Sequence, residues 1–165
     1  MASLISSDRF FDRLAGTEFT PFDVFMPFLH WSRFYYEGTT TFRSRKVHVF
    51  WMTPPEEYES LESVVSGMRI FIDDQFNAIS KAETFGPGKE HLKTLTIVEI
   101  KKDSGEWYPR QIDVRNEVTR DKTRFVVKDA TMGIELPQRV FSVEFLSESL
   151  FDLAAQPEWV PNAEL

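Results

Sequence analysis

The chain has 165 residues, a formal net charge of -7, 42% hydrophobic and 27% charged residues, and no cysteine. That is long enough for one domain with its own core, and no apolar run approaches the roughly 18 residues a membrane span requires. The acidic balance argues against nucleic acid, whose binding rests on Lys and Arg neutralising phosphates, and the missing cysteine excludes disulfides, thiol catalysis and thiolate metal sites.

Aromatic content stands out, with 16 Phe, 4 Trp and 4 Tyr making 15% of the chain. Large rings fill a core, and they also line apolar ligand sites.

The start, Met1 to Asp8, lacks the basic stretch, apolar core and small-residue cleavage site of a secretory signal. The chain therefore reads as not exported or as lacking its leader. Ser7 or Asp8 caps a short predicted helix that runs through Leu14 and stops at Gly16. Thr20-Pro21-Phe22-Asp23 then forms a variant of the capping box, with Pro at the first helical position and an acidic third. It predicts a helix from about Pro21 to Trp31. Its apolar residues Phe22, Phe25, Met26, Phe28, Leu29 and Trp31 cover well over half the circumference, and Pro27 removes a backbone donor in the middle. Such a helix is either buried on most sides or broken near Pro27.

From Phe34 the hydrophobic period switches towards two, and turn residues recur every ten or so positions. The pattern predicts strands near 34–43, 45–53, 68–73, 76–85, 91–102, 106–118, 122–131 and 140–146. The turns between them carry Asp73-Asp74, Gly86-Pro87-Gly88, Asp103-Ser104-Gly105 and Thr119-Arg120-Asp121. Ile112 and Val114 face one way while Gln111, Asp113 and Arg115 face the other, and Phe141, Val143 and Phe145 repeat the alternation, as in an antiparallel sheet with one wet face. Residues 47–52 break that rule. Val47, Val49 and Trp51 take one face, and Phe50 and Met52 make the other apolar too, so something must cover both sides. The helix at 21–31 suits one side, and the segment Pro54 to Val65 suits the edge. A helical turn at Glu148 to Ala155 and an extended tail with Pro157 and Pro161 close the chain.

Chemistry-bearing motifs are scarce. His30, His48 and His91 lie far apart and off zinc-ligand spacing. His48, in an apolar strand, reads as a structural histidine, with Glu57 or Glu99 as candidate partners. Asp73-Asp74 suits a turn, and Glu56, Glu57, Glu59 and Glu62 suit a solvated helix start. There is no Gly-x-Ser-x-Gly elbow, and Gly86-Pro87-Gly88-Lys89 lacks the ending of a phosphate loop. No enzyme activity, metal or cofactor is expected.

Several fragments, taken in order, resemble the LolA-like family of outer-membrane lipoprotein-sorting proteins. They are Leu14-Ala15-Gly16-Thr17-Glu18-Phe19-Thr20-Pro21-Phe22-Asp23 before a short helix, the strand Arg45 to Trp51 ending in Thr53-Pro54, and Met68-Arg69-Ile70-Phe71-Ile72-Asp73. Trp107-Tyr108-Pro109-Arg110-Gln111-Ile112, Thr123-Arg124-Phe125-Val126-Val127 and Leu136-Pro137 with Val140-Phe141-Ser142 complete the series. The resemblance spans about residues 7–146 of a single domain, 1–165, leaving 147–165 as the helical turn and tail.

The resemblance implies an α+β fold, a curved antiparallel sheet forming an open half-barrel of about seven to eight strands with short helices on its concave face. It also implies a non-catalytic role, binding or carrying an apolar ligand, a lipid or lipoprotein acyl chain, in the periplasm. The aromatic helix then acts as a lid or plug. The expected cavity walls are Phe25, Phe28, Trp31, Val47, Val49, Trp51, Ile70, Ile72, Ile112, Val114, Phe125 and Val127, residues that a plain core would use equally well. Two features depart from the family pattern: the front of the chain looks shortened, and there is no counterpart of the carrier's lid-closing arginine. A sheet lacking its first strands exposes an edge, so the alternative reading is a protein-interaction or dimerisation module that docks a partner or a second copy through that edge or an apolar patch.

Overall fold

A computed structural model describes residues 9–56, 64–103, 105–130, 142 and 145. Seven strands form one antiparallel meander in sequence order: β1 (Phe34–Phe42), β2 (Arg45–Met52), β3 (Gly67–Asp73), β4 (Ala78–Phe85), β5 (His91–Asp103), β6 (Glu106–Asn116) and β7 (Lys122–Val126). The strands fall in stretches rich in aromatic and β-branched residues bounded by turn residues, with the clearest alternation in β6. Arg43, Ser44, Asn77 and Arg120 take the positive φ that tight connections demand. The sheet does not close on itself among the described residues. Four of its six ladders carry bulges, at Tyr36/Gly38, Phe71/Ile72, Thr84/Phe85 and around Glu99. Bulges bend and twist the strand that carries them, which is how an open sheet acquires curvature.

The segment before the sheet differs from a single long helix. A helix, α1, spans only Pro21–Phe25. Its capping box is complete, with Thr20 and Asp23 bonding each other's backbone N–H groups. Met26 then turns left-handed (φ 46, ψ 51), and a 3-10 turn follows at Pro27–His30. The break falls where Pro27 lacks an N–H to continue the ladder. The predicted helix ending at Leu14 is replaced, over the described residues, by turns and a 3-10 turn at Leu14–Gly16 in which Ala15 is left-handed.

Some boundaries move. Phe76 and Asn77 belong to the turn before β4, Glu117 and Val118 to the turn after β6, and the strand at 122–131 stops at Val126. Most of the predicted strand at 140–146 lies outside the described residues, as do Glu57, Glu59 and Glu62, the helical turn and the tail. Ser142 sits in a bend and Phe145, 6% exposed, in a 3-10 turn.

Register assigns every strand residue to a face. Ile70 pairs with Phe50 and with Ala82, Leu95 with Ala82 and Val114, and Ile97 with Ile112. These side chains share the face that carries the helical segment, here the inner face. The core forms there from Phe22, Phe28, Trp31, Val65, Met68, Ile70, Ala82, Leu95 and Val114. On the outer face Val47 and Val49 pack with Phe71 and Phe42. The two rows of residues 47–52 thus meet different surroundings: Val47 and Val49 are buried in the outer cluster, whereas on the inner face Met52 packs against the core and Phe50 is only half-buried.

Candidate functional site

The helical segment does not fill the inner face. Among the described residues, three mostly apolar hollows border it on the side of Met26 and Leu29. The first, about 200 Å³, is walled by Leu29, Phe34, Phe50, Met52, Ile70 and Ile72. The second, about 350 Å³, lies between Met26 and Leu29 on one side and Ile79, Ile97, Ile100, Phe76 and Trp107 on the other. The third, about 460 Å³, lies between Leu14, Phe19, Val24 and Met26 and the sheet residues Leu95, Ile112 and Phe125. Leu29 borders the first two and Met26 the last two, so among the described residues these two side chains stand between the hollows. Both are unbranched at Cβ and can change rotamer. The two larger hollows, with largely apolar walls, reach the size that small-molecule sites show, and the first falls below it.

The segment is fixed at its front. The Asp23 carboxylate, 5% exposed, accepts from Thr20 N (2.8 Å), Thr20 Oγ1 (2.7 Å) and Lys93 Nζ (2.7 Å). Lys93 also donates to the Glu18 carbonyl. The buried Glu18 side chain is held by Arg13 at 2.7 Å and by Asn116 Nδ2 at 3.2 Å, and its backbone N–H donates to Thr123 Oγ1. These bonds satisfy groups that would otherwise be costly to bury. They join the start of α1 to β5, β6 and β7.

The sequence-derived wall residues fall into three groups. Ile70, Ile72, Ile112 and Phe125 border hollows. Phe28, Trp31 and Val114 are buried in the core beneath them, while Phe25 stands exposed with its ring stacked on Phe10. Val47, Val49 and Trp51 point to the outer face. There Trp51 lies against Gly67, where any Cβ would collide with its ring, and packs on Phe85 and the Arg69 guanidinium. Val127, just past β7, is half-buried and donates its N–H to the Arg110 carbonyl. Phe34, Phe50 and Met52 border the hollow on the opposite face of the same strands. Strand alternation alone could not choose between the two rows. The pairing of Phe50 with Ile70 does so, because Ile70 touches the helical segment.

His48 has a different partner from those expected. Its Nε2 meets Asp74 Oδ1 at 2.6 Å and its Nδ1 meets the Tyr36 hydroxyl at 2.9 Å, whereas Glu99 bonds Arg110. The hydrogen bond from His48, with Lys46 adding, holds the Asp74 carboxyl below its ordinary pKa against the opposing effect of burial. Asp73 turns the other way, towards Arg45 and the backbone of its own turn. The His48 chain is half-exposed and borders none of the three hollows. Among the described residues no cluster of three or more His, Asp or Glu side chains has metal-holding geometry, and no helix is long and apolar enough to cross a membrane.

This architecture, an open antiparallel sheet with a short helical segment lying in it, is like that of several solved structures. It matches a solved structure of an outer membrane lipoprotein-sorting protein domain from Vibrio parahaemolyticus with a TM-score of 0.73 at 21% identity, over 86% of this chain and 59% of that one. It matches a DUF1329 family protein from Desulfovibrio piger with a TM-score of 0.75 at 14% identity, over 86% and 58%. A LolA superfamily protein from Nitrosomonas europaea matches with a TM-score of 0.55 at 14% identity, over 82% and 60%. The chain thus spans about three fifths of the length of these solved chains. No curated protein matches. A family model described only as an uncharacterized protein matches residues 3–148, and the chain belongs to that family.

Proposed function

We propose that this protein is a non-catalytic binder or carrier of an apolar ligand, a lipid or lipoprotein acyl chain, and works in the cell envelope on the periplasmic side. The observation that carries the reading is the set of three mostly apolar hollows beside a segment tied to the sheet at one end. Each acyl methylene moved out of water yields about 0.8 kcal/mol, so rings and aliphatic side chains suffice without any reactive group. A membrane offers the same chain a similar gain. A reversible carrier therefore needs a cavity that its own side chains partly refill when empty, and Met26, Leu29 and the rings behind them supply that. Ile70, Ile72, Ile112 and Phe125 are the proposed contacts among the residues singled out from sequence. Phe34, Phe50 and Met52 join them from the structure.

Native mass spectrometry of the purified protein tests this, with Ile72→Glu as the variant because it places a charge in the wall of the 200 Å³ hollow. The expected result is bound lipid on the wild type and loss of it in a folded Ile72→Glu protein. A wild type that carries no lipid and takes up no fluorescent fatty acid would overturn the proposal.

A second reading has its own observation. Among the described residues β1 pairs only with β2, and Phe34, Tyr35 and Tyr36 are exposed along it. Such an edge can accept a strand from a partner or a second copy. A dimeric solution mass without bound lipid would favour it.

A further inference from the structure

A further hollow, about 300 Å³, lies at the front of the helical segment, and its walls differ from those of the other three. One row of the inner face, Ile70, Ala82, Leu95 and Val114, is apolar throughout. Two residues along each strand, the next row on that face reads Met68, Thr84, Lys93 and Asn116. Its three polar members border the hollow together with Glu18, Thr20 and Asp23. Of the five polar or charged residues buried among the described residues, Glu18, Thr20, Asp23 and Thr84 stand here, and Asp73 is the fifth.

Gathering buried polar groups is costly unless each finds a partner. Anchoring the segment satisfies most of these, but not all. The three bonds to the Asp23 carboxylate all end on Oδ2, and Oδ1 accepts none among the described residues. The hydroxyl of Thr84, a residue 8% exposed, likewise makes no hydrogen bond among them. Lys93, its ladder partner, uses two of its three N–H groups, on Asp23 and on the Glu18 carbonyl. Neither unpaired oxygen is sealed off, because the one enclosed side-chain atom without a partner among the described residues is Trp31 Nε1. An acceptor, a hydroxyl and a spare ammonium donor thus meet at this hollow, and Asp23 also borders the apolar hollow of 460 Å³. The charges here already balance, Arg13 and Lys93 against Glu18 and Asp23. A charged group would enter without a counter-ion, whereas a hydroxyl can both donate and accept.

We infer that the 300 Å³ hollow holds the uncharged, hydroxyl-bearing head of the guest. One head hydroxyl donates to Asp23 Oδ1 and another bonds the Thr84 hydroxyl, while the chain occupies the 460 Å³ hollow that shares Asp23 as a wall. The favoured lipid is a neutral acyl compound with free hydroxyls. This rests on the apolar-ligand reading above and names the polar end of that ligand.

The test compares monopalmitin, whose head carries free hydroxyls, with methyl palmitate, which has none, and with ionised palmitate. Each competes with a fluorescent apolar dye for the wild type, Thr84→Val and Thr84→Ser. Wild type should bind monopalmitin about tenfold more tightly than either other compound. Thr84→Val removes only the hydroxyl and should weaken monopalmitin about fivefold, the size of one net hydrogen bond. It should leave methyl palmitate unchanged and melt no lower than wild type, and Thr84→Ser should keep the preference. Equal wild-type affinity for monopalmitin and methyl palmitate, tighter binding of palmitate, or a preference that Thr84→Val leaves intact overturns the head site and leaves the apolar-ligand reading standing. Equal weakening of monopalmitin and methyl palmitate in Thr84→Val assigns that residue to packing and overturns the head site too. A wild type that binds none of the three overturns both.

Discussion

The two faces of β2 differ although both are apolar. On the outer face Val47 and Val49 are sealed by Phe71 and Phe42, and the row is covered by cations. Lys81 Nζ stands 3.7 Å over the Phe71 ring, and Arg69 lies between Trp51 and Phe85, held by Glu37 at 2.6 Å and by Glu83. The hydrogen bond from Arg69 to Glu37 is the main reason its guanidinium pKa is raised. On the inner face Phe50 and Met52 border open space. The lesson is that an apolar row does not by itself report a filled core. What matters is whether side chains from elsewhere cover it, and on the inner face the described residues leave space beside Phe50 and Met52.

The largest effect should come from the sealed side. Phe71→Ala removes a buried ring packed with Val47, Val49 and Phe42 and should cost about 3 kcal/mol, whereas Phe50→Ala, already beside a hollow, should cost about 1 kcal/mol. Urea unfolding of the two variants measures the difference, and equal losses would mean the inner face is as tightly filled as the outer. Next comes the anchor of the inner segment. Lys93→Ala strips the buried Asp23 of its cation and should cost about 2 kcal/mol, below the range for a fully buried pair because the lysine retains some contact with water. It should also raise binding of an apolar dye as the segment loosens.

The smallest effect belongs to the polar part of the outer face on β6. Hydrogen bonds from Arg124, with Lys122 adding, hold the Asp113 carboxyl below its ordinary range despite partial burial. A lowered carboxyl pKa contributes stability above the unfolded value of about 4, and that contribution disappears as the pH falls through the folded value. Asp113→Asn should therefore lower Tm by about 2–4 °C at pH 7, with the gap closing in acid. Thermal melts across that range check it, and a gap that persists in acid would assign the effect to packing instead.

Strand positions were legible because period-two alternation and turn residues are local signals, and the meander followed because consecutive antiparallel strands pair through short turns. The break in the helical segment was half legible. Pro27 marked the place, but the left-handed Met26 depends on how the two pieces seat on the sheet. The His48–Asp74 pair was not legible, since it joins a strand to a turn 26 residues away across the β2–β3 pairing.

The amino-acid order alone determined the strand sequence, the capped start at Thr20, the absence of a recognisable reactive constellation and the excess of rings. Only the tertiary structure decided which row of β2 faces the helical segment and that, among the described residues, space remains around Leu29 and Met26. The reason is physical. Backbone preference and alternation act over a few residues, whereas face, vacancy and hydrogen-bond satisfaction depend on register and on side chains brought together from distant parts of the chain.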